Sequence, residues 1–87
     1  MRIDKYLKVS RLIKRRTLAN EACDNDHVTV NGRPIKASYD VKIGDVITIA
    51  FGNRSLSVKV IEVKEHALKA DAQSMYEVIS DTSGGTF

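Results

Sequence analysis

The spacing of apolar residues changes at His27 from a helical period to an extended one, and few small folds accommodate both halves. Upstream, Ile3, Tyr6 and Leu7 fall at i, i+3 and i+4, so a short amphipathic helix buries them while Arg2, Lys5 and Lys8 lie outside the stripe. Thr17, Leu18, Ala19, Ala22 and Cys23 supply the buried side of a second helix, with a turn over 10–14 between the two. Asp24, Asn25 and Asp26 end that helix, because short polar side chains tolerate the left-handed conformations used at helix termini. Downstream, Val28 and Val30 alternate with Thr29, and Asn31-Gly32 is the strongest short hairpin signal in the chain.

Ile35 returns after that turn, and Pro34 makes the return strand either an edge strand or an irregular one. Residues 38–42 read as a loop. Val46, Ile47, Thr48, Ile49, Ala50 and Phe51 form a β-rich run, Gly52 and Asn53 turn the chain, and Leu56, Val58 and Val60 alternate along a strand that continues towards Val63. Residues 67–75 are compatible with a short helix, and Tyr76, Val78 and Ile79 with an edge strand. Residues 81–87, with Thr82, Ser83, Gly84 and Gly85, have almost nothing to bury and read as a frayed tail. The fold class expected is α+β: two short N-terminal helices, then a small antiparallel sheet, with a domain over 1–64 and a C-terminal extension over 65–87.

Size limits what such a fold can do. A chain of 87 residues buries roughly 60 to 65% of its unfolded surface, enough for one modest core without a deep substrate cavity. With one cysteine, Cys23, no intramolecular disulfide is available, which suits a reducing cytosol. The charged start and the shortness of the run 46–51 predict neither a signal peptide nor a membrane span, so a cytoplasmic location is expected.

Charge is unevenly placed. Residues 1–16 carry seven basic side chains, Arg2, Lys5, Lys8, Arg11, Lys14, Arg15 and Arg16, against Asp4 alone; that net of +6 leaves −3 for the rest of a chain whose total is +3. A solvated helix face interleaves acids with bases at four-residue spacing, whereas around Lys5, Lys8, Arg11 and Lys14 the one acid of the first sixteen residues is Asp4. Their mutual repulsion points to an external polyanion. Asp4 reads as a cap in the first helical turn.

Catalytic patterns are missing. His27 and His66 stand 39 positions apart with no second His or Cys at metal-ligand spacing. Asp24 and Asp26 lack the glycine and terminal glutamate of a calcium loop. Cys23 sits among apolar residues, where packing is favoured over reactivity. No phosphate-cradling glycine loop or nucleophile elbow occurs, so neither an enzyme nor a cofactor is expected.

Four ordered blocks make the residues specific: Arg2-Ile3-Asp4-Lys5-Tyr6-Leu7, Arg15-Arg16-Thr17 with Ala19, His27-Val28-Thr29-Val30-Asn31-Gly32, and Lys42-Ile43-Gly44-Asp45-Val46-Ile47. Over residues 1 to about 51 the chain resembles the S-four RNA-binding domain, and over its whole length the stand-alone ribosome-associated members, the RqcP and heat-shock-protein-fifteen types. It departs from the usual family pattern with Asp26 where glycine is common and Ile43 where proline is common.

The resemblance implies a ribosome-associated module without catalysis. Its implied partners are rRNA of the large subunit, peptidyl-tRNA on an obstructed subunit, and RqcH, whose addition of C-terminal alanine tails it would support. It further implies that Arg2 and Arg16 lie on the family's basic helix positions, with Arg11, Lys14 and Arg15 extending the surface and Lys5 and Lys8 auxiliary. Asn31 and Gly32 shape a turn, and Tyr6 belongs to the core. A monomer is expected when free. Two other classes fit the composition: a protein–protein adaptor using the acidic remainder and a sheet edge, and an accessory RNA-binding subunit of an RNA-modifying enzyme. Salt separates the classes. Neutralising four to six phosphates predicts that log affinity for RNA falls against log salt with a slope of roughly −3 to −5, whereas a nuclease-resistant complex of flat slope indicates an adaptor.

Overall fold

The computed structural model describes residues 1–82 of the 87. Helix α1 spans Ile3–Val9 and helix α2 spans Arg16–Asp24. They precede strands β1 (Val28–Val30), β2 (Arg33–Pro34), β3 (Val46–Phe51) and β4 (Arg54–Val60), then a single turn of helix α3 (Lys69–Ala72), a 3-10 turn (Gln73–Met75) and strand β5 (Tyr76–Asp81). All five strands join one antiparallel sheet in the order β2-β1-β3-β4-β5. The α+β architecture read from the sequence is the one observed.

A seven-residue helix is marginal alone, so α1 depends on what its ends and its apolar face meet. Its first free N–H groups are taken up by a loop that crosses the helix start: Ile3 N donates to the Tyr39 carbonyl and Asp4 N to the Ala37 carbonyl. Val41 N returns a bond to the Met1 carbonyl, and the terminal ammonium pairs with Asp40 at 2.6 Å. Ile3, Tyr6 and Leu7 are fully buried, as their spacing predicted. The Tyr6 hydroxyl donates to the Met75 carbonyl at 2.8 Å, an oxygen that also accepts from Ile61 N and Glu62 N. One carbonyl thereby ties α1, the segment after β4 and the 3-10 turn together.

Helix α2 ends in a Schellman arrangement: Asp26 N donates to the Cys23 carbonyl and His27 N to the Ala22 carbonyl. Asp26 takes φ 62°, the left-handed conformation of the residue just past the helix cap, where glycine is the usual residue in such arrangements. Its buried stripe is Ala19, Ala22 and Cys23. Thr17 and Leu18, expected on that stripe, are exposed instead: Thr17 lies on the opposite side, and Leu18, four before Ala22, sits at the rim of the contact face, 47% exposed beside an open groove it lines with Ile13, Ala22 and Phe51.

Asn31 and Gly32 both have positive φ, 54° and 81°, and join β1 to β2 as the two-residue turn that the dipeptide signalled. The Asn31 side chain also donates to Asp45 and accepts from Val46 N, which fastens the turn to the start of β3. Pro34 sits in the two-residue edge strand, as expected. Inward residues Ile47, Ile49, Leu56, Val58 and Val60 of β3 and β4 line the core, and β4 stops at Val60 rather than running on towards Val63.

The far edge differs from the sequence reading. Asp81 pairs with Leu56, and Thr82 exchanges bonds with Ser55 through both backbone and hydroxyl, so these two residues are anchored rather than frayed. Residues 83–87 of the expected tail lie outside the described residues. Within β5, Ser80 faces Ser57 and Val78 faces Val58, which leaves Ile79 as the extra residue of a β-bulge.

Replacing Tyr6 by Phe removes one of three donors on the Met75 carbonyl while keeping the ring's packing. Urea unfolding is expected to show a loss of about 1 kcal/mol, since the acceptor keeps two partners.

Candidate nucleic-acid interface

Asp4 is the only acid in the basic segment, and the fold puts it almost out of water, at 2% exposure. An ionised carboxylate in that setting needs donors on both oxygens. Arg2 supplies two, Nε at 3.2 Å from Oδ1 and Nη2 at 3.3 Å from Oδ2. Lys5 N donates to Oδ1 at 2.8 Å, and Asn20 Nδ2 donates to Oδ2 at 3.2 Å. Arg16 Nε stands 3.5 Å from Oδ2. Burial by itself raises the Asp4 carboxyl, but the bonds from Arg2, Asn20 and Lys5 N, together with the Arg16 charge, outweigh it and hold the group below its ordinary value.

Each partner arrives for a local reason. Arg2 is the residue before α1 and makes no cap of its own with its side chain, which leaves its guanidinium to fold back on Asp4. Arg16 opens α2, and Asn20 follows it by four, on the same helical face. The two helices therefore close around one carboxylate, and both arginine side chains stay about half exposed, at 49% and 50%. Asp4 with Arg16, Thr17, Asn20 and Glu21 lines an open depression of about 350 Å³.

The other basic candidates are distributed around this pair. Lys8 is exposed in the last turn of α1, and Lys14 and Arg15 are exposed ahead of α2. Arg11 is exposed and holds φ 63° just past the end of α1, a conformation that costs a residue with a Cβ about 1 kcal/mol relative to glycine. Lys5 is the exception. It pairs with Glu65, sixty positions away, so the sequence reading that no acid offsets it is corrected by the fold. The isolated reading of Asp4 as a helix cap also gives way: it bonds the N–H of its neighbour, but mainly it joins α1 to α2. Asn20 and Glu65 were missed; the only local signal was the four-residue step from Arg16 to Asn20.

The remaining reactive groups have structural surroundings. Burial pushes the Cys23 thiol up to about 12, with Asp4 and Asp24 adding to the effect, so it is inert packing as its neighbours suggested. His27 stacks on Phe51 with centroids 4.3 Å apart and hydrogen-bonds the Ala50 carbonyl through Nδ1. Among the described residues, no group of three or more His, Cys, Asp or Glu could hold a metal ion, and no helix is long and apolar enough to cross a membrane.

Compared with known protein families, residues 1–47 match the S4 domain. Helices, turn and first strands thus define an S4-domain protein. Among curated proteins the chain is similar to the RQC P-site tRNA stabilizing factor of Streptococcus pneumoniae, 55% identical over 94% of this chain and 93% of the relative. It is similar also to the RQC P-site tRNA stabilizing factor of Bacillus subtilis, 48% identical over 98% and 99%. Among solved structures, the trimeric structure of Vibrio cholerae Heat Shock Protein 15 superposes with a TM-score of 0.85 at 28% identity, covering 92% of this chain and 82% of that one. The chain belongs to the family of RQC P-site tRNA stabilizing factors and heat-shock-protein-15-like proteins.

Because the folded-state value of Asp4 lies below its ordinary 3.8, ionisation of Asp4 stabilises the folded form; the gain is complete above that value and is lost as pH falls through the lower folded one. Urea midpoints measured from about pH 6 down to about pH 2 should therefore fall more steeply for the wild type than for Asp4→Asn, which has no such carboxylate to protonate.

Proposed function

We propose that this chain is a non-catalytic RNA-binding factor of ribosome-associated quality control. Its ligands are the rRNA of the large ribosomal subunit and the tRNA held on obstructed subunits that carry peptidyl-tRNA. By steadying that complex it supports RqcH-dependent alanine tailing. The observation that carries the reading is the convergence of Arg2, just before α1, and Arg16, at the start of α2, on one buried carboxylate while both remain half exposed. Arginine forks present planar N–H pairs to phosphate oxygens and stack on unpaired bases, which suits structured RNA better than a mobile ammonium does.

Arg11, Lys14 and Arg15 extend the contact and Lys8 is auxiliary; Lys5 contributes only after Glu65 releases it. The N-terminal unit, residues 1–64, does the binding and residues 65–87 form an extension to it. The protein works in the cytoplasm on ribosomal particles and is a monomer when free. Similarity over nearly the full length to proteins named RQC P-site tRNA stabilizing factor supports the choice of ligand.

Sedimentation with purified large subunits tests this. Arg2→Ala and Arg16→Ala are each expected to weaken association about tenfold and to lower the salt slope by about one, with the circular dichroism spectrum unchanged. Association equal to wild type in both variants would sink the proposal. Recovery of RqcH from nuclease-treated lysate with the arginines neutralised would favour the adaptor class in its place.

A further inference from the structure

We infer that Asp4 is a positioning residue for RNA: a buried anion that holds the Arg2 and Arg16 guanidinium groups side by side so that their remaining N–H edges face one stretch of RNA backbone. This rests on the RNA-binding reading above and adds to it a residue that does not touch the ligand.

The geometry carries it. A guanidinium has five N–H donors in a fixed plane. Arg2 turns Nε and Nη2 to Asp4, at 3.2 and 3.3 Å, which fixes the plane and leaves Nη1 directed away from the carboxylate. Arg16 Nε stands 3.5 Å from the same group with its side chain half exposed, which leaves guanidinium donors for a ligand. Two cations that would repel each other are thus held within reach of one acceptor, and neither is buried. Asp4 is in turn fixed from behind by Lys5 N and from the side by Asn20, so it belongs to the rigid scaffold and not to the mobile surface. Long basic side chains lose rotamer freedom when they bind phosphate; here that loss is taken on folding instead.

The proposal makes a prediction opposite in sign to plain electrostatics. Neutralising an acid beside two arginines raises the positive potential, so Coulomb attraction alone makes Asp4→Asn bind a polyanion more tightly. Positioning makes it bind more weakly, by about three- to tenfold. The titration uses the full-length chain and purified large ribosomal subunits at fixed salt, with Asp4→Asn placed in the wild type and in the Arg2→Ala/Arg16→Ala background. Weaker binding in the first and no further loss in the second supports the role, since a general folding defect would lower both. Equal or tighter binding of Asp4→Asn overturns it. If that variant does not fold, Asn20→Ala takes its place: it removes the one uncharged side-chain donor that braces Asp4 Oδ2, leaves the charge unchanged and loosens the carboxylate the two arginines share; weaker binding supports the role and unchanged binding overturns it. Should the double arginine variant bind like wild type, the RNA reading itself fails; should it lose binding while Asp4→Asn does not, only the positioning role fails.

Discussion

A carboxylate removed from water is tolerated only if its surroundings return the hydrogen bonds it gave up, and Asp4 imposes that condition on everything near it. Its oxygens are served from the residue before α1, from the first turn of α1 and from two positions on α2. The crossing of the two helices is therefore held by a charged junction as well as by the apolar seam of Ile3, Leu7, Ala19, Ala22 and Cys23. Losing one arginine leaves Asp4 the other together with Lys5 N and Asn20, so the junction weakens without stranding the charge. The arginines that the domain shows to its surroundings are consequently part of its framework.

Behind that junction the sheet supplies rigidity rather than chemistry. Asp45 repeats the device on a smaller scale, accepting from the Tyr39 hydroxyl at 2.8 Å, Lys42 N at 3.0 Å and Asn31 Nδ2 at 3.2 Å. The loop between β2 and β3, which closes over the start of α1, is pinned through Asp45 to the hairpin turn. Asp4 and Asp45 are the two buried acids among the described residues, and each organises the polar groups around it while the other acids and the bases of the first sixteen residues lie towards the surface.

What was legible in the sequence is what is local. The Ile3–Tyr6–Leu7 spacing, the Val28/Val30 alternation and the Asn31-Gly32 turn each involve residues within a few positions, and each has the structure its pattern implies. The basic segment was visible too, because composition needs no partner. The order within it was not: Asp4 meets Arg16 and Asn20 only because a turn folds α2 back on α1, and Lys5 meets Glu65 only because the chain returns past α1 after β4. Leu18 was misplaced because five small or apolar residues in one helix leave the direction of its face open until the neighbouring helix decides it. The anchored start of the expected tail, at Asp81 and Thr82, likewise depends on pairing with Leu56 and Ser55, which nothing in a run of polar residues announces.

The bulge at Ile79 bears on how the molecule lives in a crowded solution. Strand β5 is the outer rim of the sheet and carries two exposed aliphatic side chains, Val78 at 51% and Ile79 at 56%. A flat rim of that kind is a template on which a stray strand from a second molecule, or from an unfinished polypeptide, lengthens the ladder. An inserted residue throws the amide spacing out of step, and the acids Glu77 and Asp81 on either side repel a copy laid against them. The rim is thereby made a poor seed for clumping.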